Sequence, residues 1–167
     1  MSLSNREVGC VVITGGTKGI GLALAHAFLE LGCSVVIAGR NLESLNHALS
    51  YLETHFDKEK FTGLCCDVTQ ISDLQNLWDI AIQHFAQVNV WINNAGSCHP
   101  TKDFVDLQSD ELNTAVSTNI LGTMLGSQVA LKGMLKQGHG QIFNMEGWGS
   151  NGEWSCLLYT SDAADEG

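Results

Sequence analysis

The sequence predicts an α/β fold built on a doubly wound parallel sheet. Three observations carry that expectation. Short β-branched runs alternate along the chain with longer stretches of helical period. The first run, Val11-Val12-Ile13-Thr14, breaks into a glycine-rich turn, Gly15-Gly16-Thr17-Lys18-Gly19-Ile20-Gly21, that opens directly into a helical pattern. Each later polar or glycine cluster follows the carboxyl end of a run, the edge at which open parallel sheets bind ligands.

Residues 8–14 form the first strand. Gly15 lets the chain turn sharply off it, Gly19 lets backbone approach a pyrophosphate, and Gly21 lets the next helix pack tightly on the sheet. That helix offers free N–H groups and a positive dipole end to an anion. It covers residues 18–31, with Ile20, Leu24, Ala27, Phe28 and Leu31 on one face, and Gly32 closes it as a left-handed cap. Residues 33–39 are a second buried strand, followed by Arg40 and Asn41; Leu42, Leu45, Leu49, Leu52 and Phe56 line the second helix. The third strand, 61–66, ends at Asp67 and Val68. Ser72-x-x-Gln75 reads as a capping box for a helix whose core stripe is Leu74, Leu77, Trp78, Ala81, Ile82 and Phe85. The fourth strand, 88–93, runs into Asn94-Ala95-Gly96. A polar loop with the single proline, Pro100, then leads to a long helix over 109–136. Gly138 and Gly140 bracket the entry to a fifth strand, 141–145. The alternation implies right-handed βαβ units in one domain, residues 1–155, of Rossmann architecture that is incomplete at the C-terminus.

Composition narrows the partners. A formal charge of −10 over 167 residues argues against nucleic acid and anionic membrane surfaces. No apolar run approaches the ~20 residues of a membrane helix. Residues 1–8 are too short and polar for a signal or transit peptide, so a cytosolic location is expected unless a targeting region is missing from the sequence. Cysteines at 10, 33, 65, 66, 98 and 156 show no Cys-x-x-Cys spacing, and the histidines do not cluster. Reduced thiols are therefore expected, with no zinc site or disulfide framework. Residues 156–167 break the pattern: Cys156 to Glu166 reads as the in-frame translation of a sequencing adaptor. A non-native tail is expected there, with the natural sequence departing near Ser155.

Thr14-Gly-x-x-x-Gly-x-Gly21, Asp67-Val68, Asn93-Asn94-Ala95-Gly96 and Asn119, in this order across residues 8–151, resemble the short-chain dehydrogenase/reductase family. The resemblance implies an NAD(P)-binding domain whose cofactor contacts come from Gly15, Thr17, Lys18, Gly19, Ile20, Gly21 and Arg40. Asp67 and Val68 would lie at the adenine, and Asn94, Ala95 and Gly96 would support the nucleotide and the central strand. Asn119 would hold a water of the proton relay; taken alone, it reads as a polar helix residue facing solvent or packed on a neighbour.

Cofactor choice has its own physical argument. A dinucleotide without a 2′-phosphate is usually met by a carboxylate at the end of the second strand. Here that end reads Ala38-Gly39-Arg40, with no acid, and Lys18 sits in the glycine turn. Two cations suit a 2′-phosphate, so NADPH is expected over NADH, and reduction over oxidation.

Residues 88–97 (Val-Asn-Val-Trp-Ile-Asn-Asn-Ala-Gly-Ser) and 140–150 (Gly-Gln-Ile-Phe-Asn-Met-Glu-Gly-Trp-Gly-Ser) are similar to the chlorophyll(ide) b reductase branch of the family. That similarity implies a small-molecule carbonyl substrate, chlorophyll(ide) b, whose 7-formyl group is reduced to hydroxymethyl. It also implies a chloroplast location and a homo-oligomeric full-length parent. Glu146 and Trp148 depart from the branch pattern, and Gly147 stands where the wider family carries its catalytic serine. Ser150, three residues on, either donates to the substrate carbonyl or is a turn serine. The family's general acid is the tyrosine of Tyr-x-x-x-Lys. Tyr159 is followed at the fourth place by Ala163, so it does not inherit that role, and the chain as given is expected to be inactive. The fifth strand is expected to be an unpaired edge with apolar helix faces uncovered, which makes the chain prone to aggregation. Two alternatives remain: a generic short-chain reductase of a ketone, sterol or acyl-carrier substrate, and a short form that binds nucleotide without catalysis.

Overall fold

In a computed structural model, which describes residues 9–97 and 104–146, five parallel strands form one sheet in the order β3-β2-β1-β4-β5. The strands are β1 (Cys10–Thr14), β2 (Ser34–Gly39), β3 (Phe61–Cys65), β4 (Val90–Asn93) and β5 (Gln141–Asn144). The helices are α1 (Gly19–Glu30), α2 (Leu42–Glu53), α3 (Ile71–Phe85), α4 (Ser109–Val116) and α5 (Gly122–Gln137). The expected doubly wound parallel sheet is what the chain forms.

Side-chain alternation along the strands builds two cores. Val11, Ile13, Val35 and Ile37 face α1 and α2, where they meet Ala25, Leu29, Leu45, Ala48 and Leu52. Cys10, Val12, Val36 and Ala38 face the other way, onto Leu74, Leu77, Trp78 and Ala81 of α3 and Val129, Ala130 and Met134 of α5. Central strands buried on both faces are apolar throughout, which is why β1 and β2 read as unbroken runs. The chain winds outward from β1 to β3, then crosses back to β4 beside β1. The reversal makes the crevice between the carboxyl ends of β1 and β4 the topological switch point.

Several local expectations are corrected. The buried face of α1 is Gly21, Ala25 and Leu29, flanked by half-buried Leu22, Leu24 and Phe28, whereas Ile20 and Leu31 are exposed. Small residues face the sheet because they let the helix axis come close; the larger apolar residues fall on its flanks and ends. Leu42 opens α2 with its side chain in solvent. Asn41 caps that helix, accepting from the Ser44 N–H at 2.8 Å. Ser72 is not a cap: α3 begins at Ile71 and places Ser72 inside its first turn. The acid of that turn, Asp73, instead accepts the Asp67 N–H at 3.0 Å. The long helix is interrupted by a π-helical turn, Ser117–Leu121, between α4 and α5. Gly32 caps α1 as expected, at φ +84°, with the Cys33 N–H returning to the Phe28 carbonyl and the Gly32 N–H to Leu29. Ser150, Gly147, Trp148, Tyr159, the tail of 156–167 and the Pro100 loop lie outside the described residues.

Candidate nucleotide-binding site

The glycine turn has the geometry its residues promise. Gly15 and Gly19 hold φ of +64° and +54°, the left-handed region that an L side chain enters at a cost. A side chain at Gly19 would meet nothing within 4 Å, so the turn is open above its backbone. Gly21 is the reverse case: a Cβ there would overlap the Gly15 carbonyl and come 2.5 Å from the Asn94 amide nitrogen. Lys18, the N-cap of α1, makes no side-chain capping bond. The first-turn N–H groups of α1 thus point, without a side-chain acceptor from their cap, into an open glycine cradle that fits a phosphate group.

A polar staple ties this turn to the neighbouring strand end. Buried Thr14 donates from Oγ1 to the Ile92 carbonyl (3.3 Å), and the same oxygen accepts from the N–H groups of Asn94 (3.0 Å) and Ala95 (3.1 Å). The Asn94 side-chain amide donates to the carbonyls of Thr14 and Gly15, both at 3.0 Å. Asn94 and Ala95 therefore act from below the turn, fixing its shape rather than reaching out from it.

Beside the turn lie the ends of β2 and β3. Gly39 pairs in register with Cys65, and the Cys66 N–H donates to the Gly39 carbonyl at 3.1 Å. Lys18 and Arg40 are exposed, and neither forms an ion pair among the described residues. Asp67 closes an Asx turn, its Oδ1 accepting from the Thr69 N–H (2.9 Å) and hydroxyl (2.8 Å). Val68 is buried and packs at the start of α5, where a Cβ on Gly122 would stand 2.6 Å from its Cγ2. Burial pushes the thiols of Cys10 and Cys66 up to about 12, so both stay protonated and behave as small hydrophobes. Cys10, Cys33, Cys65 and Cys66 are free thiols.

Asn119 lies in the π-helical turn, and both ends of its amide are engaged. Oδ1 accepts from the Ser97 N–H at 2.7 Å, and Nδ2 donates to the Ser97 carbonyl at 2.9 Å. It thereby clamps the loop that leaves β4 just past Gly96. π turns frequently mark functional positions, because one helical hydrogen bond is displaced.

One group of residues was not singled out individually by the sequence reading. Asn93, buried in β4, accepts the Trp91 indole N–H on Oδ1 at 2.9 Å. Its Nδ2 donates to Asn144 Oδ1 (2.8 Å), Ser127 Oγ (2.9 Å) and the Thr123 carbonyl (3.4 Å). This network joins β4, β5 and α5 directly behind the crevice. Its signal in the sequence is an asparagine at a core position of an apolar strand, which demands buried partners.

The site's residues from Thr14 to Gly21, Gly39 to Arg40, Asp67 to Val68, Asn94 to Ser97 and Asn119 thus gather on one edge of the sheet. The family model of short chain dehydrogenases matches residues 9–160. The chain is 40% identical over 144 residues to the chloroplastic chlorophyll(ide) b reductase NOL of Oryza sativa subsp. japonica, covering 85% of this chain and 42% of that protein. The Arabidopsis thaliana protein of the same name is likewise 40% identical over 144 residues, with 85% and 41% covered. This chain therefore spans less than half the length of these relatives. Among solved structures, a short chain dehydrogenase from Bacillus anthracis superposes with a TM-score of 0.76 at 30% identity, covering 82% of this chain and 56% of the other. The chain belongs to the short-chain dehydrogenase family.

Proposed function

We propose that this chain is the nucleotide-binding part of an NADPH-dependent carbonyl reductase acting on chlorophyll(ide) b. The observation that carries the cofactor choice is the end of β2. Gly39-Arg40 offers a cation and no carboxylate beside a turn that carries Lys18. Two exposed cations recognise a 2′-phosphate, whereas a 2′-hydroxyl asks for an acceptor. The chlorophyll(ide) b reductases at 40% identity support the pigment as substrate.

A bound nicotinamide would supply the hydride that reduces a formyl carbon to an alcohol. The chain's own residues bind and orient. The α1 N-terminus and the Gly15–Gly21 turn hold the pyrophosphate, Thr17, Lys18 and Arg40 surround the ribose phosphate, and Ile20 borders the cradle. Asp67 and Val68 flank the adenine, and Asn94, Ala95 and Gly96 back the nucleotide. Asn119 holds the Ser97 loop. Its carbonyl accepts from the Thr123 hydroxyl at 2.8 Å, and by the family resemblance Asn119 would hold a water of the proton relay. In sequence, Ser150 is the serine nearest Gly147, the position at which the wider family carries its catalytic serine. The Tyr159-to-Ala163 spacing offers no lysine to lower a phenol pKa, so the chain as given binds nucleotide without turnover. The whole protein, assayed with NADPH and chlorophyllide b, is expected to form the 7-hydroxymethyl product. Reduction of other carbonyls with chlorophyllide b left untouched would overturn the substrate assignment.

A further inference from the structure

A second cluster of polar groups lies away from the crevice, between the last turns of α1 and α2. Both helices start at the crevice edge, so these turns sit at the opposite end of the sheet. His26 and Glu30 stand one turn apart near the end of α1, and Tyr51 is in the last turn of α2. The Tyr51 hydroxyl is 3.2 Å from His26 Nδ1, within hydrogen-bond reach. On the other side of the same ring, Glu30 Oε1 is 3.6 Å from His26 Nε2. The carboxylate favours a proton on Nε2, which leaves Nδ1 as the acceptor for the phenol O–H. Packing holds the imidazole in this orientation: His55 and Phe56 meet it edge-on, with ring centroids at 5.3 and 4.8 Å. His55 is itself anchored, its Nδ1 lying 2.9 Å from the Tyr51 carbonyl and 2.7 Å from the Thr54 hydroxyl. Tyr51 is 42% exposed, so an electrophile in solution reaches it.

The three groups stand in line: a hydroxyl, an imidazole within reach of its proton, and a carboxylate that orients the ring and stabilises the imidazolium. That arrangement suits attack on an acyl carbon. We propose that Tyr51 is a nucleophilic acceptor of acyl groups from activated acyl donors, thioesters or acyl phosphates, with His26 as its general base and Glu30 positioning His26. In the step, Tyr51 Oη bonds to the acyl carbon while its proton passes to His26 Nδ1. The bond from the acyl carbon to the leaving group breaks, and the leaving group departs with the electron pair and takes the proton from His26. Nothing is oxidised or reduced, and the product is an O-acyl tyrosine. The site uses no part of the crevice, so it stands apart from the NADPH reading.

N-acetylimidazole is the probe, with acetylation of this chain read residue by residue by mass spectrometry. The sequence has two tyrosines, Tyr51 and Tyr159, and Tyr159 reports the reagent dose. Tyr51 should react about tenfold or more faster than N-acetyltyrosinamide, and His26→Gln should remove that advantage with Tyr159 unchanged. A solvent deuterium isotope effect should accompany the fast reaction and vanish in His26→Gln. Glu30→Gln, a change at an exposed side chain, should slow Tyr51 by about threefold. The imidazole nitrogen NMR shifts of His26 should report the Nε2–H tautomer in wild type and a mixture of tautomers in Glu30→Gln. Tyr51 reacting no faster than the free amide, or equally fast in His26→Gln, would overturn the proposal. Unchanged nitrogen shifts in Glu30→Gln would remove Glu30 from the relay.

Discussion

The two halves of the crevice are built by different physics. On the β1–β2 side, backbone does the positioning: positive-φ glycines shape the turn, Gly21 admits the Gly15 carbonyl, and Thr17 abuts Gly39. On the β4–β5 side, side-chain amides do it: Asn93 joins Trp91, Ser127 and Asn144, and Asn119 clamps Ser97. Thr14 and Asn94 couple the halves across the switch point. Backbone positioning tolerates no added atoms at its close approach, Gly21. Amide positioning tolerates none removed. The contrast says how each half should break.

The largest effect is expected on the backbone side. Gly21→Ala forces a methyl into the Gly15 carbonyl and the Asn94 amide. It should cost about 3 kcal/mol in urea unfolding and abolish nucleotide binding, because the turn must open to relieve the overlap. Next comes the centre of the amide side. Asn93→Ala leaves the Trp91 N–H and Asn144 without their buried partner and should cost about 2 kcal/mol. Trp91→Phe keeps most of the volume that stacks on Trp78, at 6.3 Å between centroids, and removes only the N–H donor. It should cost about half as much as Asn93→Ala. Equal losses in the two variants would mean that packing, not the amide network, holds the strand.

Asn119→Ala sharpens the contrast. It removes both bonds to Ser97 but nothing from the glycine turn. Amide exchange at Ser97 should rise while the N–H groups of α1 are unchanged, with a stability loss of about 1 kcal/mol. Exchange rising equally in α1 would mean the halves open as one unit.

Much of the backbone side was legible in the sequence because glycine leaves a visible mark wherever a turn or a close approach requires it. Gly15, Gly19 and Gly21 announced the cradle, and the unbroken apolar runs of 10–14 and 34–39 announced central strands. The facing of α1 was less legible: its buried stripe is Gly21, Ala25 and Leu29, of which the first two carry little hydrophobic signal, while exposed Ile20 and Leu31 carry much. The amide side was harder still. Asn93 and Asn94 are adjacent asparagines with unlike roles, one buried behind the sheet and one bonded beneath the turn. Only three-dimensional pairing separates them. The π turn at Asn119 left no local trace either, since helix period alone does not reveal a displaced hydrogen bond.

A separate effect concerns pH. Cys10 and Cys66 hold their protons up to about 12 in the fold, chiefly through burial, whereas an unfolded thiol ionises near 9. The folded chain therefore binds more protons across that interval. The stability these thiols contribute is complete below about pH 9 and is lost as pH rises from there. Urea midpoints should fall between about pH 9 and 11, and the Cys10→Ala, Cys66→Ala pair should flatten the slope. An unchanged slope would mean that neither thiol stays protonated in the fold.

The most direct test of the central claim is a pair of calorimetric titrations of this chain, with NADP⁺ and with NAD⁺, at low and at moderate salt. Recognition of a 2′-phosphate by Lys18 and Arg40 predicts NADP⁺ binding at least about tenfold tighter, an advantage that shrinks with salt and again in Arg40→Ala. Equal affinities, or tighter binding of NAD⁺, would contradict it.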